Sequence, residues 1–171
     1  DTFTWSPNFN ISQNKNELKR LPNDGADIIT GRNILREGEA ISAFYLLEYA
    51  GVDPENGDAL YFTNVDDGNG NLSRETTNNP SDARRVVSGR PFPLWIGGLT
   101  NTMTFGGFDF SFTFQGEWGV DIYNGGGIYQ SANADYFDNQ SRDQLRRWQN
   151  PGDITDVPQA RLFGANGTAH S

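Results

Sequence analysis

With 171 residues, 35% of them apolar, and a mean hydropathy of −0.65, the chain has no run of about 18 apolar residues. That excludes a transmembrane helix but not a transmembrane barrel, whose strands alternate apolar and polar residues. The absence of cysteine excludes a disulfide framework and thiolate metal sites, and suits an envelope protein that folds without oxidation. A net charge of −9 disfavours nucleic acid as a partner.

Twenty glycines with 12 Phe, 6 Tyr and 4 Trp predict an all-β chain of short alternating segments closed by turns. The opening "DTFTWSP" has neither a basic nor an apolar leader, so a mature start and an internal fragment read alike. The first predicted strand covers about 3–14, with Phe3, Trp5, Phe9 and Ile11 on one face and Thr4, Ser6, Asn8, Asn10 and Ser12 on the other. "QNKNELKRL" follows, anchored only by Leu18 and Leu21, and residues 21–40 read as a loop. A strand is predicted over 41–50, before the Asn56-Gly57 turn signal of "PENGDALYF". Residues 63–90 read as loop, apart from a short piece around Val86-Val87.

Two further strands are predicted over 94–105 and 108–120, joined by Gly106-Gly107. A two-residue turn there pairs Phe105 with Phe108, Met103 with Phe110, Asn101 with Phe112 and Leu99 with Phe114. One face of this ribbon is then apolar except for Asn101. Thr100, Thr102, Thr104, Asp109, Ser111, Thr113 and Gln115 share the other. Each strand has about the 9–11 residues that a tilted membrane-spanning strand needs. Trp95 and Trp118 fall at the open end of the hairpin, where an interfacial aromatic girdle would place them. A soluble sandwich core produces the same alternation, and periodicity leaves both open. Residues 121–171 read as loop with one short helix over about 141–149, which opens on a capping box of Ser141 and Gln144 and stops at Pro151-Gly152.

No residue set marks a catalytic centre. Asp67, Asn69, Asn71 and Ser73 have Ca²⁺-loop spacing, but Leu72 stands where the loop needs Gly and Asn78 where it needs Glu, so a solvated loop is expected and no cofactor. Asp53, Glu55 and Asp58 read as a surface turn, and no pair among the 22 acidic residues stands out for glycosidase chemistry. His170, the one histidine, has no GxSxG or HExxH context. "GRPFPLWIGG" lacks the lysine and amide donors of a phosphate loop. The loop aromatics Tyr123, Tyr129, Tyr136, Phe137 and Trp148 are candidates to stack on a sugar; the plainer reading packs them within the loop, Trp148 against Leu145 for example.

The ordered set "FNISQNKNEL", "YAGVDPENGDALYF", "GRPFPLWIGGLTNTMTFGGFDFSFTFQGEWGVDIYN" and "NQSRDQLRRWQNPGDITDVPQ" resembles the later barrel region of SusC/RagA-type TonB-dependent outer-membrane transporters. The resemblance runs from about Phe3 to Pro158. It implies a non-enzymatic segment of an antiparallel barrel of about 22 strands with a plug in its lumen. Such a barrel imports oligosaccharides or peptides through the bacterial outer membrane with energy from the TonB complex, beneath a SusD-like surface lipoprotein. Leu99, Met103, Phe105, Phe108, Phe110, Phe112 and Phe114 would then face lipid. The tight glycine turn would be periplasmic and the segment after Trp118 extracellular. No plug domain is present, and a few strands cannot close a barrel, so a partial segment is expected. The alternative is a soluble all-β carbohydrate-binding or adhesion module.

Overall fold

The computed structural model describes residues 2–131 and 139–161. Its ten strands in chain order are β1 (Thr4–Gln13), β2 (Ile28–Thr30), β3 (Asn33–Leu35), β4 (Ala43–Leu46), β5 (Tyr49–Val52), β6 (Ala59–Phe62), β7 (Thr76–Thr77), β8 (Val86–Gly89), β9 (Trp95–Phe105) and β10 (Phe108–Trp118). They fall into two units, Asp1–Phe44 with Gly89–Ile122 and Tyr45–Ser88 with Tyr123–Ser171.

The first unit is built on an antiparallel sheet in the order β1-β9-β10. Gly106 and Gly107 hold φ of 57° and 83°, the positive pair that a type I′ turn requires and that residues with a Cβ resist. The turn sets Phe108 opposite Phe105, Phe110 opposite Met103 and Phe114 opposite Leu99. Along its other edge β9 receives β1, with Trp5 opposite Met103 and Phe9 opposite Leu99. Leu94 prolongs both ladders: it donates to the Trp118 carbonyl at 2.9 Å and accepts from the Asn14 N–H at 2.9 Å. A small core elsewhere in this unit gathers Leu21, Ile34, Ala40 and Ala43.

Residues 21–40, read from sequence as loop, contain β2 and β3, which pair from Ile28↔Leu35 to Thr30↔Asn33. Three residues are too few for a period of two to show. The single strand expected over 41–50 is two strands, because the run changes partner. β4 pairs with β3, and β5 pairs with β6 through a register shift between Tyr49 and Gly51. The stretch 63–90 likewise holds β7, and β8 falls at the short piece around Val86-Val87.

The second unit has the sheet β5-β6-β7 and a core of Ala59, Tyr61, Trp148 and Val157. Tyr49 and Tyr61 meet edge to face at 6.1 Å. The helix expected over 141–149 is a five-residue 3₁₀ turn, Arg142–Arg146, and the α-helix α1 is one turn at Gly127–Gln130. A short turn leaves no helix face to hold Trp148 against Leu145. Trp148 is buried and Leu145 is 73% exposed.

Trp148 instead packs flat on the "DPENGD" turn. Its indole N–H donates to the Pro54 carbonyl at 3.1 Å, and its backbone N–H to the Val157 carbonyl at 2.9 Å. Gly152 N–H also reaches the Pro54 carbonyl, at 2.7 Å, and Gln159 N–H the Gly57 carbonyl, at 2.8 Å. A Cβ on Gly57, which holds φ 75°, would lie 2.6 Å from the Trp148 ring. Gly57→Ala therefore combines left-handed backbone strain with a displaced indole, at about 3 kcal/mol or more. Limited proteolysis of the variant is expected to nick residues 143–157 far faster than in the parent; unchanged cleavage would contradict this packing.

Candidate functional site

The β1-β9-β10 sheet has two chemically opposite faces. Phe3, Trp5, Phe9, Ile11, Trp95, Phe105, Phe108, Phe110, Phe114 and Trp118 stand on one face, and all are exposed, Phe108 to 81%. The half-buried Leu99, Met103 and Phe112 complete it, so all seven residues singled out for lipid contact share this face. Phe110, Phe112 and Phe114 touch ring to ring at 5.5 and 5.3 Å. Fully burying such a side chain is worth about 1.5–3 kcal/mol. Ten such side chains, each only part-exposed, thus forgo on the order of 10–20 kcal/mol in water, a large sum beside the stability of a typical domain.

Asn101 is a polar side chain in the middle of the stripe, and it is buried. The Trp5 indole N–H donates to its Oδ1 at 3.1 Å. Trp5 thereby covers the amide and offsets its desolvation with a hydrogen bond. Glycine supplies a second fitted detail. Gly97 and Gly116 oppose one another across β9 and β10, and the Trp118 ring lies over them. A Cβ would come within 2.8 Å of that ring at Gly116 and 3.3 Å at Gly97.

The opposite face carries a ladder of hydroxyls. Thr100 meets Thr113 at 2.9 Å, Thr102 meets Ser111 at 3.3 Å, and Thr4 bonds Thr104. Asn8, Asn10, Asp109 and Gln115 extend this polar surface. Such cross-strand pairs contribute about 0.2–1 kcal/mol each and reinforce the same register from the wet side.

The loop candidates fare differently. Tyr129 is exposed, Tyr123 is half-buried, and Trp148 is buried in the packing just described, so it offers no face for stacking. Tyr136, Phe137 and His170 lie outside the described residues. Among the described residues, no three His, Asp or Glu side chains are placed to hold a metal. Asp67 closes its own loop, accepting from the backbone of Asn69 at 2.7 Å and the side chain of Asn71 at 3.0 Å. These bonds hold its carboxyl below the usual range. In the "DPENGD" turn, Asp58 is buried, ion-paired to Arg161 at 2.5 Å and bonded by the Asn78 amide at 2.8 Å. The two partners lie about 100 positions apart, so nothing local marks that pair.

Arg146 grips Asp156 with two donors, at 2.7 and 2.9 Å, and also bonds Asp143. The Asp156 carbonyl accepts from the Tyr49 hydroxyl at 2.9 Å, and burial pushes the Tyr49 phenol up. Hydrogen bonding to Arg146 holds the Asp156 carboxyl below its ordinary 3.8. A carboxyl lowered in the fold contributes stability that is complete above its ordinary pKa and is lost as pH falls through the folded value. Hydrogen exchange across residues 143–157, corrected for intrinsic rate, is therefore expected to stay flat from pH 8 to about 4 and to rise only below that. Loosening already near pH 6 would contradict the pairing.

No protein-family model matches the chain. It is 35% identical to TonB-dependent receptor P3 of Formosa agariphila, over 92% of this chain and 17% of that protein. It is 29% identical to TonB-dependent receptor P39 of the same organism, over 97% of this chain and 20% of that protein. Among solved structures, the RagAB peptide transporter superposes with a TM-score of 0.71 at 23% identity, over 92% of this chain and 18% of that one. The open-open state of the RagAB peptide importer gives 0.70 at 21% identity, over 92% and 17%. The chain thus spans a fifth or less of the length of these proteins. Along nearly all of its own length, the chain is a relative of the TonB-dependent receptors and has the fold of a stretch of RagAB.

Proposed function

We propose that this chain is a segment of the barrel wall of a TonB-dependent nutrient importer in the bacterial outer membrane. The observation that carries the reading is the apolar face that runs across three strands of 10 and 11 residues. An 11-residue strand is about 36 Å long, and tilted by about 45° it covers about 25 Å, the height of the apolar band on an outer-membrane barrel. Leu99, Met103, Phe105, Phe108, Phe110, Phe112 and Phe114 then contact acyl chains, and the hydroxyl ladder faces the lumen. Trp95 and Trp118 stand at the interfacial level. The Gly106-Gly107 turn is periplasmic, and the segment after Trp118 is extracellular.

The rest of the machine belongs to a longer parent. A barrel of about 22 strands encloses a plug; the TonB complex supplies energy, and a SusD-like lipoprotein covers the mouth. The cargo is an oligosaccharide or a peptide, and the segment performs no chemistry on it. The relatedness to TonB-dependent receptors supports this assembly over a soluble sugar-binding sandwich. Phe110→Arg in the full-length protein is expected to cost about 2–4 kcal/mol near the midplane, while Ser111→Arg, aimed at the lumen, is tolerated. Heat-modifiable mobility of the protein in isolated outer membranes reads the assembled fraction. Equal assembly of the two variants would sink the lipid-facing assignment.

A further inference from the structure

Ser141 and Gln144 have capping-box spacing, yet neither side chain caps. Ser141 sits at the start of the 3₁₀ turn Arg142–Arg146 with no side-chain cap bond. The turn closes through its backbone, the Gln144 N–H donating to the Ser141 carbonyl at 3.1 Å. Ser141 Oγ and Gln144 Oε1 are both shielded from solvent and have no hydrogen-bond partner among the described residues. Buried polar atoms are nearly always paired, so two adjacent exceptions call for a partner that the described residues do not supply.

Both side chains line one cavity of about 420 Å³, together with Arg142, Leu145 and Arg147. Small-molecule sites fall at about 300–1,000 Å³ and combine apolar lining with a few convergent polar groups. Its two guanidiniums differ from that of Arg146, which is held by Asp143 and Asp156. Arg147 gives one donor to the Gln144 carbonyl at 3.1 Å, and neither Arg142 nor Arg147 has a carboxylate partner among the described residues. In a chain of net charge −9, a cavity with two such cations favours an anion.

We infer that this cavity binds a carboxylate-bearing unit of the imported cargo. Arg142 and Arg147 take the carboxylate, the Ser141 hydroxyl donates beside them, and Gln144 Oε1 accepts an O–H or N–H from the ligand. The exposed Leu145 covers its apolar side. The inference rests on the importer reading, in which either a uronic sugar or an acidic peptide residue would present that carboxylate.

Calorimetric titration of the full-length protein in detergent tests it, with digalacturonate and a Glu-centred tripeptide as probes. Each is compared with its neutral counterpart, a digalactoside and the Gln-centred tripeptide. One acidic probe is expected to bind about tenfold or more tighter than its counterpart, and that probe identifies the source of the carboxylate. Arg142→Gln combined with Arg147→Gln is expected to remove about tenfold or more of this affinity. Ser141→Ala, which breaks no cap, should weaken binding severalfold in a protein that elutes as the parent does, and it decides the matter if the double variant fails to elute. No preference for either acidic probe, or binding unchanged by the substitutions, overturns the site. Absence of the full-length protein from the outer-membrane fraction overturns the importer reading separately, whatever the titrations show.

Discussion

The register of β9 against β10 is the constraint on which the rest of the first unit depends. A strand's side chains alternate with a period of two, so a slip of one residue would carry every phenylalanine of β10 to the hydroxyl face. Two glycines at positive φ hold that register by allowing a turn of two residues and no more. Everything on either face follows from it: the ring-to-ring column of Phe110, Phe112 and Phe114, the hydroxyl pairs behind it, and the seat of Trp118 over Gly97 and Gly116. The burial of Asn101 beneath Trp5 extends the same logic to β1. A strand displaced along β9 would leave that amide uncovered in the middle of an apolar surface.

The second unit solves a different problem. It has little sheet and almost no helix, and it is held by turns that lock into one another. The "DPENGD" turn offers its carbonyls outward, and the "RWQNPGDITDVPQ" segment supplies the N–H groups and the indole that meet them. Asp58 with Arg161 fastens the turn to the end of that segment with charge, and Asp156 with Arg146 closes the segment on itself. These strings, separated by about 90 positions, form a single structural object.

Legibility in the sequence followed the range of the interaction. The long strands announce themselves because alternation and a Gly-Gly turn are local signals, and the pairing of Phe105 with Phe108 follows from the turn length alone. β2 and β3 are too short to show a period. The run over 41–50 looks continuous because nothing in it marks the change of pairing partner. Trp148 departs from the expected helix face because its segment makes one 3₁₀ turn, and its partner Pro54 lies 94 positions away. The capping-box spacing of Ser141 and Gln144 is a local signal, but the turn of both side chains from the backbone toward a cavity depends on the tertiary packing. For the stripe itself, composition could not separate lipid from a protein core, since both reward the same residues.

The central claim is that the phenylalanine face meets lipid and the hydroxyl face meets water, and neighbouring positions on one strand test it best. The segment contains no cysteine, so Phe110→Cys and Ser111→Cys each place a single spin label in it, on opposite faces of β10. In the full-length protein reconstituted in bilayers, power-saturation measurements should find the label at 110 accessible to oxygen and shielded from a water-soluble nickel chelate. The label at 111 should show the reverse. Two positions with the same accessibility, both wet or both sealed within protein, would contradict the account.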